Sequence, residues 1–167
     1  MGLTGAPHKR TILIAEGQPL LREYLPRLLL DPGYQLLSAS DGNDAISIAA
    51  NLTQHLDLLV TDSQVGSITG FQIGDRLLQE NPGAKVLMIS TISVLESAAL
   101  RRGFEFLRKP FGRVAFMSRV RELLQGDTER SRQPGLVIPF RTMPPTGTEG
   151  NRRKGKAPTL SPQRRAG

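Results

Sequence analysis

Residues 56–71, LDLLVTDSQVGSITGF, are the segment from which the fold is predicted. The stretch starts with the largely apolar segment 56–60, runs into Asp62 and ends in a loop of small residues that closes at Gly70. A short apolar run bounded by turn residues is typical of a strand buried on both faces of a parallel sheet. Open α/β sheets carry their chemistry just beyond the carboxyl ends of such strands, which is where Asp62 falls. On this stretch alone, a reactive carboxylate and a helix cap explain Asp62 equally well.

The flanking sequence repeats the strand pattern four more times, in alternation with amphipathic helices. The predicted strands are 11–15, 34–39, 56–61, 85–89 and 104–107, and the predicted helices begin near 19, 42, 68, 94 and 114. This alternation predicts an α/β fold with a doubly wound, five-stranded parallel sheet. Right-handed crossovers and the flavodoxin-like order 2-1-3-4-5 place strands 1 and 3 side by side, so Glu16 and Asp62 are expected at the same sheet edge. Pro26 predicts a kink in the first helix or an early end to it.

The net charge of +7 is concentrated at the ends of the chain. Residues 126–167 contain nine basic and three acidic residues, whereas residues 11–125 contain eleven basic and twelve acidic residues. We therefore expect a lead-in over 1–10, a folded domain over 11–125 and a basic, Pro/Gly-rich disordered tail over 126–167. The charge does not favour a nucleic-acid surface on the folded part. For the tail, weak electrostatic binding of nucleic acid and a merely solvated segment are both open.

Composition also bears on the compartment. The chain has no cysteine, which excludes a disulfide framework and a thiolate metal site. No uncharged run is longer than twelve residues, so we expect no membrane span. Residues 1–10 lack the apolar core of a secretory signal, and the expected location is the cytoplasm.

Five features in or directly after the predicted strands make residues 11–125 resemble a response regulator receiver domain similar to the chemotaxis regulators. This domain is the phosphoacceptor module of bacterial two-component signalling. The features are Glu16 after strand 1, Asp62 after strand 3 with Gly70 eight residues later, Ser90 after strand 4, Phe106 within strand 5, and Lys109-Pro110-Phe111 at its end. Each feature alone is weak, but the ordered set is fairly specific for the family.

The resemblance implies that Asp62 accepts a phosphoryl group from a histidine kinase or phosphotransfer protein. Such a reaction needs an in-line nucleophile and neutralisation of the phosphoryl oxygens. The resemblance assigns the first role to Asp62 and the second to Lys109, with Ser90 donating its hydroxyl to the same group. It implies no enzymatic turnover beyond self-catalysed phosphoryl transfer and autodephosphorylation at Asp62.

The resemblance also implies a Mg²⁺ site. Its ligands would be the carboxylates of Glu16 and Asp62 and the backbone carbonyl of Gln64. Family members usually carry two consecutive acids after strand 1, but here Gly17 stands at the second position. We therefore expect this chain to hold Mg²⁺ weakly.

The family's switch residues correspond to Ser90 and Phe106. The resemblance implies that Phe106 swings inward after phosphorylation and changes the face made by helix 4, strand 5 and helix 5. Plainer interpretations stay open: Phe106 as static core, Ser90 as a helix cap, Lys109 as a solvated turn residue and Glu16 as a surface acid. The glycine after Glu16 keeps a second function open, a degenerate receiver that acts as a phosphorylation-independent protein-interaction module.

Overall fold

A computed structural model of the protein describes residues 9–31 and 33–132, with side-chain surroundings up to residue 125. Most of the predicted lead-in and the part of the predicted tail beyond Arg132, with its basic groups, lie outside the described residues. Within the described part, no helix is long and apolar enough to cross a membrane.

Five parallel strands form the central sheet. They are β1 (Arg10–Ala15), β2 (Tyr34–Ala39), β3 (Leu58–Asp62), β4 (Lys85–Ser90) and β5 (Glu105–Arg108). Their order is β2-β1-β3-β4-β5, and every pairing is parallel. The predicted doubly wound sheet with order 2-1-3-4-5 is therefore confirmed. Because all five strands are parallel, their carboxyl ends lie at one edge of the sheet, where the site lies.

Five helices cover the two faces of the sheet. They are α1 (Pro19–Leu28), α2 (Gly42–Ala50), α3 (Gly70–Glu80), α4 (Glu96–Arg101), which a 3₁₀ turn at Ser93–Leu95 precedes, and α5 (Arg113–Arg132). Because side chains alternate along a strand, β3 contributes Leu59 to the core cluster that includes α2 and α3, and Leu58 and Val60 to the cluster that includes α1 and α5. Both faces of β3 are thus buried, as its apolar run predicts.

The two ends of α1 follow from its prolines. Pro19 occupies the first turn, where its missing N–H would have no helical partner. Pro26 lies two residues before the last helical residue, Leu28, so the early end is the outcome rather than a longer, kinked helix.

The segment between β3 and α3 differs from its predicted form. Gln64–Val65 and Ile68–Thr69 pair as a small antiparallel hairpin, so α3 begins at Gly70 rather than at residue 68. Gly66 forms the turn with φ of +64°, a backbone conformation that glycine adopts without strain. Thr69 then caps α3 and exchanges hydrogen bonds with Gln72 in a capping box.

The last helix is also longer than predicted. The predicted folded domain ends at residue 125, whereas α5 continues to Arg132, so the described backbone is helical at the start of the predicted tail. The residues after Leu124 are polar, and a helix without an apolar face gives no periodic signal in the sequence.

Asp57 belongs to the opposite end of the sheet from Asp62. It is 3% exposed, accepts hydrogen bonds from Arg10 Nη1 at 2.7 Å and from the Thr11 backbone N–H at 2.8 Å, and so joins the start of β1 to the start of β3. This carboxylate stabilises the fold and lies away from the candidate site.

Candidate functional site

The carboxyl ends of four strands bring together the polar side chains that the sequence singles out. Glu16 follows β1, Asp62 ends β3, Ser90 ends β4 and Lys109 follows β5. They are up to 93 residues apart in the chain, and parallel strand order alone makes them neighbours.

Lys109 lies between the two acids. Its Nζ is 2.7 Å from Asp62 Oδ2 and 3.0 Å from Glu16 Oε2. The lysine side chain is 13% exposed and the Glu16 side chain 1% exposed. The interpretations of Lys109 as a solvated turn residue and of Glu16 as a surface acid are therefore wrong. A shielded ammonium shared by two carboxylates makes short, charge-assisted hydrogen bonds.

Glu16 is held on its remaining groups as well. Its Oε1 accepts the Gln18 backbone N–H at 2.9 Å, and its backbone carbonyl accepts Arg22 Nη1 at 3.0 Å. The same Arg22 nitrogen donates to the Gly17 carbonyl at 3.1 Å. Sequence reasoning missed Arg22, because a basic residue in the first turns of an amphipathic helix looks like an ordinary exposed charge.

The second oxygen of Asp62 faces hydroxyl groups. Asp62 Oδ1 accepts the Ser63 backbone N–H at 2.5 Å and the Ser63 hydroxyl at 3.1 Å. Ser90 Oγ in turn lies 2.9 Å from Ser63 Oγ. Asp62 does not cap α3, whose cap is Thr69, so the helix-cap interpretation of Asp62 is wrong.

Ser90 is 1% exposed, and its Oγ accepts the Ile92 backbone N–H at 3.1 Å. It caps neither the 3₁₀ turn nor α4, since the residues before those elements make no side-chain cap. Sequence reasoning missed Ser63, because a serine after a strand is ordinarily a turn residue. The one signal in the sequence that could have identified Ser63 as a site residue is its position next to Asp62.

Two glycines at the site differ in what packing requires of them. A Cβ at Gly70 would collide with the Asp62 backbone carbonyl, so the start of α3 can approach the end of β3 only with glycine there. A Cβ at Gly17 would find its nearest heavy atom, the Ser40 carbonyl oxygen, 4.0 Å away. Packing therefore leaves room for a Cβ at position 17, and the sequence supplies no carboxylate there.

The two carboxylates at the site fit a divalent cation. Mg²⁺ sites in proteins use one or two carboxylates, and substrate oxygens and water complete the octahedron. Glu16 and Asp62 supply that minimum. Gln64 is exposed, and the metal-binding role of its backbone carbonyl stays a prediction. No group of three or more His, Cys, Asp or Glu side chains that could hold a metal occurs within 9–31 and 33–132.

Phe106 is 7% exposed and belongs to the core cluster that contains Ala99 and Phe104. It lies opposite Met88 in the pairing of β4 with β5, two positions before the level of Ser90. This burial fits the interpretation of Phe106 as a static core residue. The inward movement of Phe106 after phosphorylation stays a prediction.

In a sheet of order 2-1-3-4-5, the strand order reverses between β1 and β3, and ligands bind at the carboxyl ends of these two strands. Two acids that share a lysine lie at this point, so the chain is a flavodoxin-like α/β domain with a charged site at that edge. The family model of the response regulator receiver domain matches residues 12–121. The chain therefore belongs to the response regulator receiver domain family, whose members are modules of two-component signalling.

Relatives and solved structures agree with this membership. The chain is 29% identical over 118 residues to the probable transcriptional regulatory protein TcrX of Mycobacterium tuberculosis; the match covers 69% of this chain and 50% of TcrX. The signal receiver domain of an HD domain-containing protein from Pseudomonas fluorescens Pf-5 superimposes with a TM-score of 0.67 at 21% identity, covering 80% of this chain and 100% of that one.

A further solved structure is similar in fold and contains a metal. The response regulator TrrA of Thermotoga maritima, in complex with Mg²⁺ and BeF, has a TM-score of 0.61 at 23% identity, with 69% of this chain and 99% of that one covered. Receiver domains generally bind Mg²⁺ and interact with histidine kinases or phosphotransfer proteins. The chain spans about half the length of TcrX.

Proposed function

We propose that Asp62 accepts a phosphoryl group from a histidine kinase or phosphotransfer protein in the cytoplasm. The observation that carries this proposal is the shared ammonium: Lys109 Nζ lies 2.7 Å from Asp62 Oδ2, at the open edge of the sheet. Asp62 itself has a side chain that is 17% exposed, so it combines a fixed orientation with access from solvent.

The chain's own residues account for the transfer. An Asp62 carboxylate oxygen attacks the phosphorus of a phosphohistidine, the P–N bond breaks, and its electron pair stays on the imidazole nitrogen, which takes up a proton. Lys109 moves from the carboxylates toward the phosphoryl oxygens and offsets their charge. The Ser90 hydroxyl is the neutral donor on the other side of Asp62. When bound by Glu16, Asp62 and the Gln64 carbonyl, Mg²⁺ supplies further positive charge at these oxygens.

The proposal includes weak Mg²⁺ binding. Each carboxylate near a divalent ion adds Coulomb attraction, and position 17 contributes none. The two carboxylates that remain are also engaged by Lys109, which competes with the cation for them. Phosphoryl transfer is therefore expected to need more Mg²⁺ here than in a receiver with two acids after β1.

The output of this domain is proposed to lie on the face made by α4, β5 and α5. Exposed apolar side chains are present on or next to this face: Val94 is 80% exposed, Leu100 52% and Val114 79%. Phe106 lies beneath it in the core, so an aromatic that moves there would change the surface that a partner protein meets. The folded unit that carries this function is proposed to be residues 11–125.

A degenerate receiver that binds a partner without phosphorylation is the second candidate. Gly17 favours it, because packing leaves room for a Cβ at this position and the carboxylate is nevertheless missing. The same apolar face would then act constitutively, and the basic tail would add weak electrostatic attraction to nucleic acid.

Intact mass spectrometry after incubation with Mg²⁺ and acetyl phosphate separates the two candidates. The phosphoacceptor proposal expects a single phosphoryl adduct in the unaltered chain, and no adduct in Asp62→Asn. Asp57→Asn is the matched control, since it changes a buried carboxylate at the other end of the sheet. No adduct in the unaltered chain at any Mg²⁺ concentration would leave the constitutive interaction module as the function.

A further inference from the structure

Three side chains at the site form a continuous line of hydrogen bonds that ends on the backbone before α4. The line runs from Asp62 Oδ1 to Ser63 Oγ at 3.1 Å, from Ser63 Oγ to Ser90 Oγ at 2.9 Å, and from Ser90 Oγ to the Ile92 backbone nitrogen at 3.1 Å. Ser90 is 1% exposed, so water does not compete for its hydroxyl from outside. The line joins the carboxylate to the segment that leads into the 3₁₀ turn at Ser93–Leu95.

Counting protons gives the line one direction. A serine hydroxyl has a single proton to donate. Asp62 as a carboxylate only accepts, so Ser63 donates to Asp62 Oδ1. Ser63 has then used its proton and must accept from Ser90. Ser90 in turn accepts from the Ile92 N–H, which can only donate.

We propose that Ser63 is a positioning residue that transmits the charge of Asp62 to Ser90 and to the Ile92 backbone. Hydrogen bonds arranged head to tail polarise one another, and the negative charge at the end strengthens each of them. Removing that charge weakens the line along its whole length. The segment after β4 thereby senses the state of Asp62 before any larger rearrangement.

One consequence rests on the proposed phosphorylation of Asp62. The single proton of Ser90 is engaged by Ser63, so Ser90 can donate to a phosphoryl oxygen only by leaving Ser63. Ser63 therefore competes with the phosphoryl group for Ser90. This competition makes Ser63 a regulator of how strongly phosphorylation engages the switch residue.

The transmission is tested without phosphorylation, in the full ¹⁵N-labelled chain. We expect Asp62→Asn to move the Ile92 amide proton upfield, because the bond to Ser90 weakens. The same substitution in a Ser63→Ala background should move it far less, whereas Ser63→Thr, which keeps a hydroxyl, should restore the full movement. Ser67→Ala, an exposed serine in the same loop, is the matched control. Equal movement in the Ser63→Ala and Ser67→Ala backgrounds would show that the effect travels through space and would overturn the proposal.

The competition is tested with acetyl phosphate and Mg²⁺ by intact mass. Ser90→Ala should lower the adduct yield by a larger factor in the Ser63→Ala background than in the unaltered chain. The same factor in both backgrounds would refute the competition. If the unaltered chain forms no adduct, the phosphoacceptor function fails on its own, and the Ile92 amide still decides whether Ser63 transmits charge.

Discussion

Replacing Lys109 with methionine removes the ammonium that holds two carboxylates together at the sheet edge. Its Nζ lies 2.7 Å from Asp62 Oδ2 and 3.0 Å from Glu16 Oε2. At an effective dielectric constant of about 20, those distances correspond to Coulomb attractions of about 6 and about 5.5 kcal/mol before desolvation is counted. The substitution also leaves two neighbouring carboxylates without their cation.

The net loss is smaller than these attractions, because the unfolded chain regains the hydration of all three groups. Removing one partner of a buried pair typically costs about 3–5 kcal/mol. Glu16 is 1% exposed, but the Asp62 side chain is 17% exposed and partly screened by water. We therefore expect Lys109→Met to lower the free energy of unfolding by about 3 kcal/mol.

Urea denaturation of the full chain measures this loss. The matched control is Arg119→Met, whose guanidinium lies 3.4 Å from Glu105 with both side chains 40% exposed, and which should cost about 0–1 kcal/mol. Adding Glu16→Gln to Lys109→Met should recover part of the loss, because one of the two repelling charges disappears. Equal urea midpoints for Lys109→Met and Arg119→Met would refute the view that the ammonium holds the site together.

Three further substitutions test other parts of the site and fold. Gly17→Asp should tighten Mg²⁺ binding, as measured by calorimetric titration, because one more carboxylate at about 4 Å attracts the divalent ion by about 2–8 kcal/mol before desolvation is counted; unchanged affinity would show that the glycine does not weaken the site. Gly70→Ala should destabilise the chain by about 1–3 kcal/mol in urea, because its Cβ collides with the Asp62 carbonyl; a neutral result would mean that the start of α3 shifts freely. Asp57→Asn should lower the free energy of unfolding by about 1.5–3 kcal/mol through its bonds to β1, yet leave the acetyl phosphate adduct unchanged; a lost adduct would contradict its placement away from the site.

The predicted helix boundaries differ most from the structure where a segment with a helical spacing of apolar residues pairs as a strand instead. Ile68 and Thr69 carry a helix-compatible spacing, yet they pair with Gln64–Val65 as a hairpin. The turn at Gly66 makes that pairing possible. The sequence contains the glycine, but its local pattern does not show that the residues on either side of it pair with each other. The end of α5 was missed for the opposite reason, since its last turns lack an apolar face.

Local sequence patterns suffice to predict the five strands, their alternation with helices and the five features that mark the receiver family. These are local properties, because an apolar run and a turn signal are read within a few residues. Which side-chain atoms come into contact depends on the tertiary structure. Lys109 reaches Glu16 across 93 residues and Ser90 reaches Ser63 across 27. Such contacts depend on strand order and on side-chain directions to within a fraction of an ångström, and no local pattern encodes either.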